Sequence, residues 1–194
     1  RLYRHGTLID KVLVARPYIA HKLKTTPPVE KGDDFLGLLE KFFSFSLPKI
    51  YEAKTLAVEL AKRTRFLKDE VISQELREEE NRGKGFIVGF YEAFRKYLIS
   101  GLTKEEFADL YSQTITYGLF AARTRSENGF NRKLAYDYIP RTIGILREVF
   151  KFVSFGEIPQ PMERIIDDIA GVLAVTDVNN ILHKYFHEGK GKDP

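Results

Sequence analysis

The chain has 194 residues, enough for one domain or for one domain and an appendage, and its 43% apolar content is ordinary for a packed core. It has no Cys, which excludes disulfides, thiolate zinc sites and cysteine nucleophiles, and its net charge is +4. No apolar run approaches the roughly 18 residues that suggest a membrane span, and no signal peptide is visible, so a cytoplasmic protein with no membrane partner is expected.

Leu2 and Tyr3 precede a His5-Gly6 turn, and Thr7–Val14 is rich in β-branched residues, which predicts a β-hairpin. Two strands alone are marginal in water, so they must pack on helices or belong to a larger sheet. Arg16–Lys31 holds Pro17, Pro27 and Pro28 and reads as an irregular connector, with a short helical turn near Tyr18–Leu23. Asp33 or Asp34 then caps a helix over FLGLLEKFFSF, apolar almost all round and therefore expected to be deeply packed. The organisation this implies is a hairpin and connector over 1–31 and a helical domain over 32–194.

Glu52–Glu80 is the longest helical pattern, with an apolar stripe at Ala57, Leu60, Ala61, Thr64, Leu67, Val71 and Leu76. Glu75, Glu78, Glu79 and Glu80 crowd its C-terminal end, where carboxylates oppose the helix dipole. Either the helix frays after Leu76 or that end meets a basic partner. Asn81–Gly85 is a stop and a turn, and Phe86–Ile99 is a second amphipathic helix. The central element is Leu102–Arg125, opened by the capping box Thr103-x-x-Glu106 and carrying so wide an apolar stripe that it should be buried on several sides. Gly118 in its middle costs about 1 kcal/mol against Ala and predicts close approach of another backbone. The short Ser100-Gly101 connection predicts antiparallel packing of these two helices. Asn131 caps a short helix ending near Ile139, Pro140 opens the next, and Gly156 and Pro159 break it. Met162–Leu173 is a further helix, and Thr176 or Asp177 caps the last. The fold expected is mainly α, a multi-helix bundle of about seven or eight helices with a short N-terminal β-hairpin.

Candidate chemistry is sparse. Glu52-Ala53-Lys54 matches half of a nuclease E-x-K signature, but it runs straight into a helix rather than lying on a strand beside a further metal-binding acid. His183 and His187 stand at i, i+4, a zinc-compatible spacing, yet Lys184 replaces the metalloprotease Glu and no obvious third ligand is near, though Glu188 is adjacent. Asp167-Asp168 are helical neighbours that splay apart, so they do not converge on one ion. Gly83, Gly85 and Gly89 miss the dinucleotide fingerprint by one residue and follow no strand. No catalytic, cofactor-binding or metal-binding residue is assigned. The one basic concentration is 121–151, where Arg123, Arg125, Arg132, Lys133 and Arg141 alternate with Phe130, Tyr136 and Tyr138. Bases beside aromatics suit phosphates and splayed bases, so these five are the candidate DNA-phosphate contacts, set against the plainer reading of a solvated charged face.

Several long stretches together resemble one family: FLGLLEKFFSFS at 35–46, LAVELAKRTRFLKDEV at 56–71, GFYEAFRKYLISGLTKEEFADLYSQTITYGLFAARTR at 89–125 and IIDDIAGVLAVTDVNNIL at 165–182. They are similar to the helical region before the methyltransferase domain of single-chain, type IIG and type ISP-like, restriction–modification enzymes, the adenine-specific DNA methyltransferase family. The opening hairpin resembles the closing strands of the family's nuclease domain, and the exit at 187–194 resembles the point of entry into the methyltransferase. With Arg1 at one end and Asp193-Pro194 at the other, the expectation is a piece of a longer prokaryotic polypeptide. The resemblance implies S-adenosylmethionine and Mg²⁺ as cofactors of the parent protein, with flanking nuclease and methyltransferase domains and double-stranded DNA as partners. The family's N-P-P-[YF] motif and glycine-rich cofactor loop do not occur here, so none of its catalytic residues carries over and the piece itself is expected to be inactive. What carries over is a connector role. The alternatives are an independent nucleic-acid-binding module and a protein-interaction or regulatory domain unrelated to DNA.

Overall fold

The computed structural model describes residues 1–4, 7–14, 30–43, 52–127, 129–142 and 144–187. The expected turns at His5-Gly6 and Tyr18–Leu23, and the glycine-rich exit, lie outside them. The chain divides into two compact units, Arg1–Ser46 and Leu47–Pro194, which groups the first helix with the hairpin rather than with the helices that follow.

In the first unit, strands β1 (Leu2–Arg4) and β2 (Thr7–Asp10) pair antiparallel, Tyr3 opposite Leu8, with an irregularity between Leu2 and Tyr3. Helix α1 (Gly32–Phe43) starts with Asp33 and Asp34 in its first turn, where carboxylates suit the dipole. Lys41 on α1 holds Asp10 at 2.5 Å, and this bond, with the backbone N–H of Lys11, keeps the Asp10 carboxyl below its usual range. The expectation that α1 is deeply packed is wrong: it buries no residue, and Phe43 is 78% exposed. Two short strands offer no opposing layer wide enough for a helix that is apolar all round.

The second unit is the bundle. Helix α2 (Ala53–Phe66) begins at the E-x-K tripeptide, with Glu52 as N-cap, so that tripeptide is a helix start. A π-helical turn, Leu67–Ile72, joins α2 to α3 (Ser73–Arg82), which ends on Gly83 in the left-handed conformation at φ 71°. The π-turn inserts one extra residue into the register. Before it the buried positions are Leu56, Leu60 and Arg63, within it Leu67, Val71 and Ile72, and after it Leu76 and Glu79. An uninterrupted α-helix would have turned Glu78 inward instead. α3 therefore does not fray after Leu76. The buried Glu79 carboxylate accepts the backbone N–H of Val88 at 2.8 Å, which satisfies the start of α4 (Phe86–Tyr97), and Gly85 makes room for it. Glu80 pairs with Lys104 at 2.6 Å. The acids that looked misplaced at one helix end thus serve the beginning of the next two.

Helix α5 (Lys104–Arg125) is the axis of the bundle. Its capping box is present as the sequence predicts: Thr103 Oγ1 accepts from the Glu106 N–H at 3.3 Å, and Glu106 accepts from the Thr103 N–H at 2.9 Å. The Thr103 N–H, with the Thr103 hydroxyl that also donates at 2.7 Å, holds the Glu106 carboxyl below its usual range. Rings of α4 meet rings of α5 in reverse order, Phe94 on Phe107 and Phe90 on Tyr111, so the two helices run antiparallel. Gly118 does not meet another backbone. A Cβ there would lie 2.3 Å from the ring of Phe150, a fully buried side chain. Asn131 caps α6 (Arg132–Tyr138) by accepting from the Leu134 N–H at 3.0 Å. α7 (Gly144–Phe155) follows, then α8 (Gln160–Ala174), and Asp177 caps α9 (Val178–His187) through the Asn180 N–H at 3.0 Å. Among the described residues no helix is long and apolar enough to cross a membrane.

Candidate nucleic-acid interface

The candidate cations sit on the last turn of α5, on α6 and just beyond it, and the structure divides them. Arg123 is half-buried. Its guanidinium donates to the carbonyls of Leu173 at 3.0 Å, Ser126 at 3.1 Å and Thr176 at 3.2 Å, so it closes the C-terminal end of α8, where the dipole favours a cation. Arg132 is buried, its side chain 5% exposed. It donates to Asp167 at 2.8 Å, to Glu163 at 2.5 Å and to the carbonyl of Val153, while Ser154 Oγ donates to the Arg132 carbonyl at 2.9 Å. Each of the three guanidinium nitrogens donates one hydrogen bond inside the bundle. The expectation that Arg132 faces phosphate is corrected accordingly: its charge is used inside the bundle.

Arg125, Lys133 and Arg141 are exposed. Arg125 also donates to the Tyr138 carbonyl at 3.2 Å, which steadies it without covering it. Lys133 and Arg141 have no ion-pair partner among the described residues. Phe130 is buried and cannot stack on a base. Tyr136 is half-buried, with the Arg147 guanidinium 4.3 Å above its ring, and Arg147 also donates to the Ile139 carbonyl at 3.1 Å. Glu127, Asp137 and Glu148 are exposed on the same stretch. What reads in sequence as one basic patch with aromatic platforms is, in three dimensions, three outward candidate cations, with Lys151 also exposed on the stretch and acids among them.

The remaining motifs resolve into structure. Asp167 and Asp168 point to opposite sides of α8, one to Arg132 and the other to Arg63 at 3.0 Å. Arg63, 1% exposed, also holds Glu59 at 2.6 Å and donates to the Glu59 carbonyl. Burial alone would raise the Glu59 carboxyl; the bonds from Lys62 and Arg63 outweigh it and the net direction is down. Sequence reasoning missed Arg63 and Arg132 as interior residues. For Arg63 a signal exists: it falls between Leu56, Leu60 and Leu67 on the stripe that packs inward. His183 is exposed on α9, and the side chain of His187 lies outside the described part of that helix. Among the described residues no group of three or more His, Asp or Glu is placed to hold a metal ion, so neither a Mg²⁺ site nor any step through one is derived for this chain. Tyr111 Oη and Ser112 Oγ are buried without a hydrogen-bond partner among the described residues, and burial pushes the Tyr111 phenol far up.

Comparison with family models, with curated proteins and with solved structures finds no match.

Proposed function

We propose that the chain is a helical connector of a DNA restriction–methylation enzyme, which fixes a nuclease relative to an adenine-specific methyltransferase and performs no chemistry of its own. The long stretches that resemble that family support the reading. The observation that carries it is the set of arginine braces. Arg63 ties α2 to α8, Arg132 ties α6 to α7 and α8, and Arg123 ties α5 to the end of α8. Bonds of this kind, made by buried or half-buried guanidinium groups between elements far apart in sequence, resist hinge motion between helices. A spacer needs that property, because a flexible linker would let the distance between its two modules wander.

Contact with the DNA backbone then falls to Arg125, Lys133 and Arg141. Three phosphate contacts correspond to a log–log salt slope of about −2.7, and all five candidate cations would give about −4.5. The test is a mobility-shift titration against salt. The connector reading expects no shift by the isolated chain at physiological salt. In the parent enzyme, replacing Arg125, Lys133 and Arg141 together by Ala should flatten the slope by no more than about 2.7. Saturable, steeply salt-dependent binding by the isolated chain would replace the connector with an independent nucleic-acid-binding module.

A further inference from the structure

A cleft between α2, α5 and α9 takes no part in any of this. Its volume is about 620 Å³, within the roughly 300–1,000 Å³ common for small-molecule sites. The Thr64 and Thr116 hydroxyls bond at 2.8 Å, and Lys68 lies 3.8 Å from Asp109, so α2 and α5 run antiparallel along it. It follows α2 from Ala53 to Lys68, about 22 Å at 1.5 Å per residue. Leu56, Leu60 and Ile181 line its floor and are buried. Ala57, Ala61 and Tyr117 line its mouth and are exposed, Tyr117 by 66%. Ala57 and Ala61 belong to the stripe whose spacing predicts core, yet both are exposed, and among the described residues nothing covers them.

The cleft is also graded in polarity. Its Ala53 end is apolar, closed by Phe120, Ile181 and Leu182. Arg65, Lys68 and Gln113 gather at the other end. Arg65 has no ion-pair partner among the described residues, and Lys68 stands 3.8 and 3.9 Å from Asp109 and Asp69, longer than charge-assisted hydrogen bonds. Asp109 is itself engaged by the Gln113 amide at 2.8 Å. An evenly apolar groove would accept any greasy segment. A long apolar trough that ends at Arg65, which has no ion pair among the described residues, beside Lys68, held only loosely by Asp69 and Asp109, selects a molecule with one tail and one anionic head.

We propose that this cleft binds a free, single-chain carboxylate amphiphile. The aliphatic tail lies along Leu56 and Leu60 toward Ile181, and the carboxylate sits between Arg65 and Lys68. This assignment stands apart from the connector reading and needs nothing from it.

The test is a titration of the full chain with dodecanoate, below its micelle concentration, followed by methyl NMR. The expected result is saturable one-to-one binding, with shifts centred on Leu56, Leu60, Ile181 and Leu182. Dodecyltrimethylammonium should bind at least about tenfold more weakly, as should dodecanoate to the Arg65→Ala/Lys68→Ala variant, because each comparison removes a charge-assisted contact. Ala57→Trp, at an exposed helical position, should fill the cleft and abolish binding. Absence of saturable shifts, equal binding of the cationic detergent, or full binding by the Ala57→Trp protein would overturn the proposal. If an 18-residue amphipathic Leu/Glu peptide moved these methyls and dodecanoate did not, the proposal would also fall, in favour of a helical partner.

Discussion

Substituting Ala at Gly118 gives a sharp test of how tightly the bundle closes around α5. A Cβ at that position would stand 2.3 Å from Phe150 Cε2 and 2.4 Å from Cζ, whereas ordinary van der Waals contact begins near 3.4 Å. The ring must therefore move by more than 1 Å. Phe150 is fully buried, and its neighbours Val149 and Val153 are buried with it, so there is no open side to move toward. Overpacking of this kind costs about 1–3 kcal/mol. Replacing a mid-helix Gly with Ala returns about 1 kcal/mol through helix propensity. The net expectation is a loss of up to about 2 kcal/mol, or up to roughly 8 °C in Tm for a bundle of this size. Thermal and urea unfolding followed by circular dichroism measure it. The Gly118→Ala/Phe150→Leu pair locates the cause. Leu lacks the ring atoms that clash, so the double variant should be less destabilised than the sum of the singles, by about 0.5–3 kcal/mol of coupling. If Gly118→Ala is stabilising, or if the two changes simply add, the close approach of α7 to α5 is not what the Gly is for.

Two further outcomes follow from the charge placement. Arg132→Met keeps the apolar stem but strands the Val153 carbonyl and cuts the bonds to Glu163 and Asp167; urea denaturation should show a loss of about 2–4 kcal/mol, while Lys133→Ala next to it should stay within about 0.5 kcal/mol. Equal effects would mean that Arg132 is no brace. Glu75 is pushed up from its ordinary 4.5, first by burial and then by Glu78, with Arg82 at 3.6 Å offsetting part of this. A carboxyl raised on folding adds stability below its unfolded value and loses it as the pH climbs through the folded one. Glu75→Gln should therefore raise Tm at pH 7, and the gain should vanish as the pH falls below 4.5. A gain that persists in acid would point away from the ionised carboxylate.

Local signals were the readable ones. The Thr103–Glu106 box, the Asn131 and Asp177 caps, the Gly83 stop and the antiparallel turn at Ser100-Gly101 each depend on residues a few positions apart, and the chain carries them in plain sight. The errors came where the partner is distant. Arg132 reads as part of a basic run because Glu163 and Asp167 are some thirty positions away; only folding brings them together. Helix α1 reads as core because its apolar residues surround it, but the described residues of its unit offer no layer to receive them. The π-turn at Leu67–Ile72 leaves no mark on composition, yet it shifts the buried stripe by one residue and so decides that Glu79 goes inside. For the same reason of distance, the sequence shows Ala57 and Ala61 as apolar without showing that nothing lies over them. The candidate interface was legible as charge and illegible as geometry: five cations by sequence, three by exposure.

The account stands on the connector reading, and the most direct test of that is to read the open reading frame of the gene beyond the codon for Pro194. The account predicts a methyltransferase there, with a glycine-rich S-adenosylmethionine loop followed by N-P-P-[YF]. A frame that continues without those motifs, or that encodes no methyltransferase at all, would contradict it.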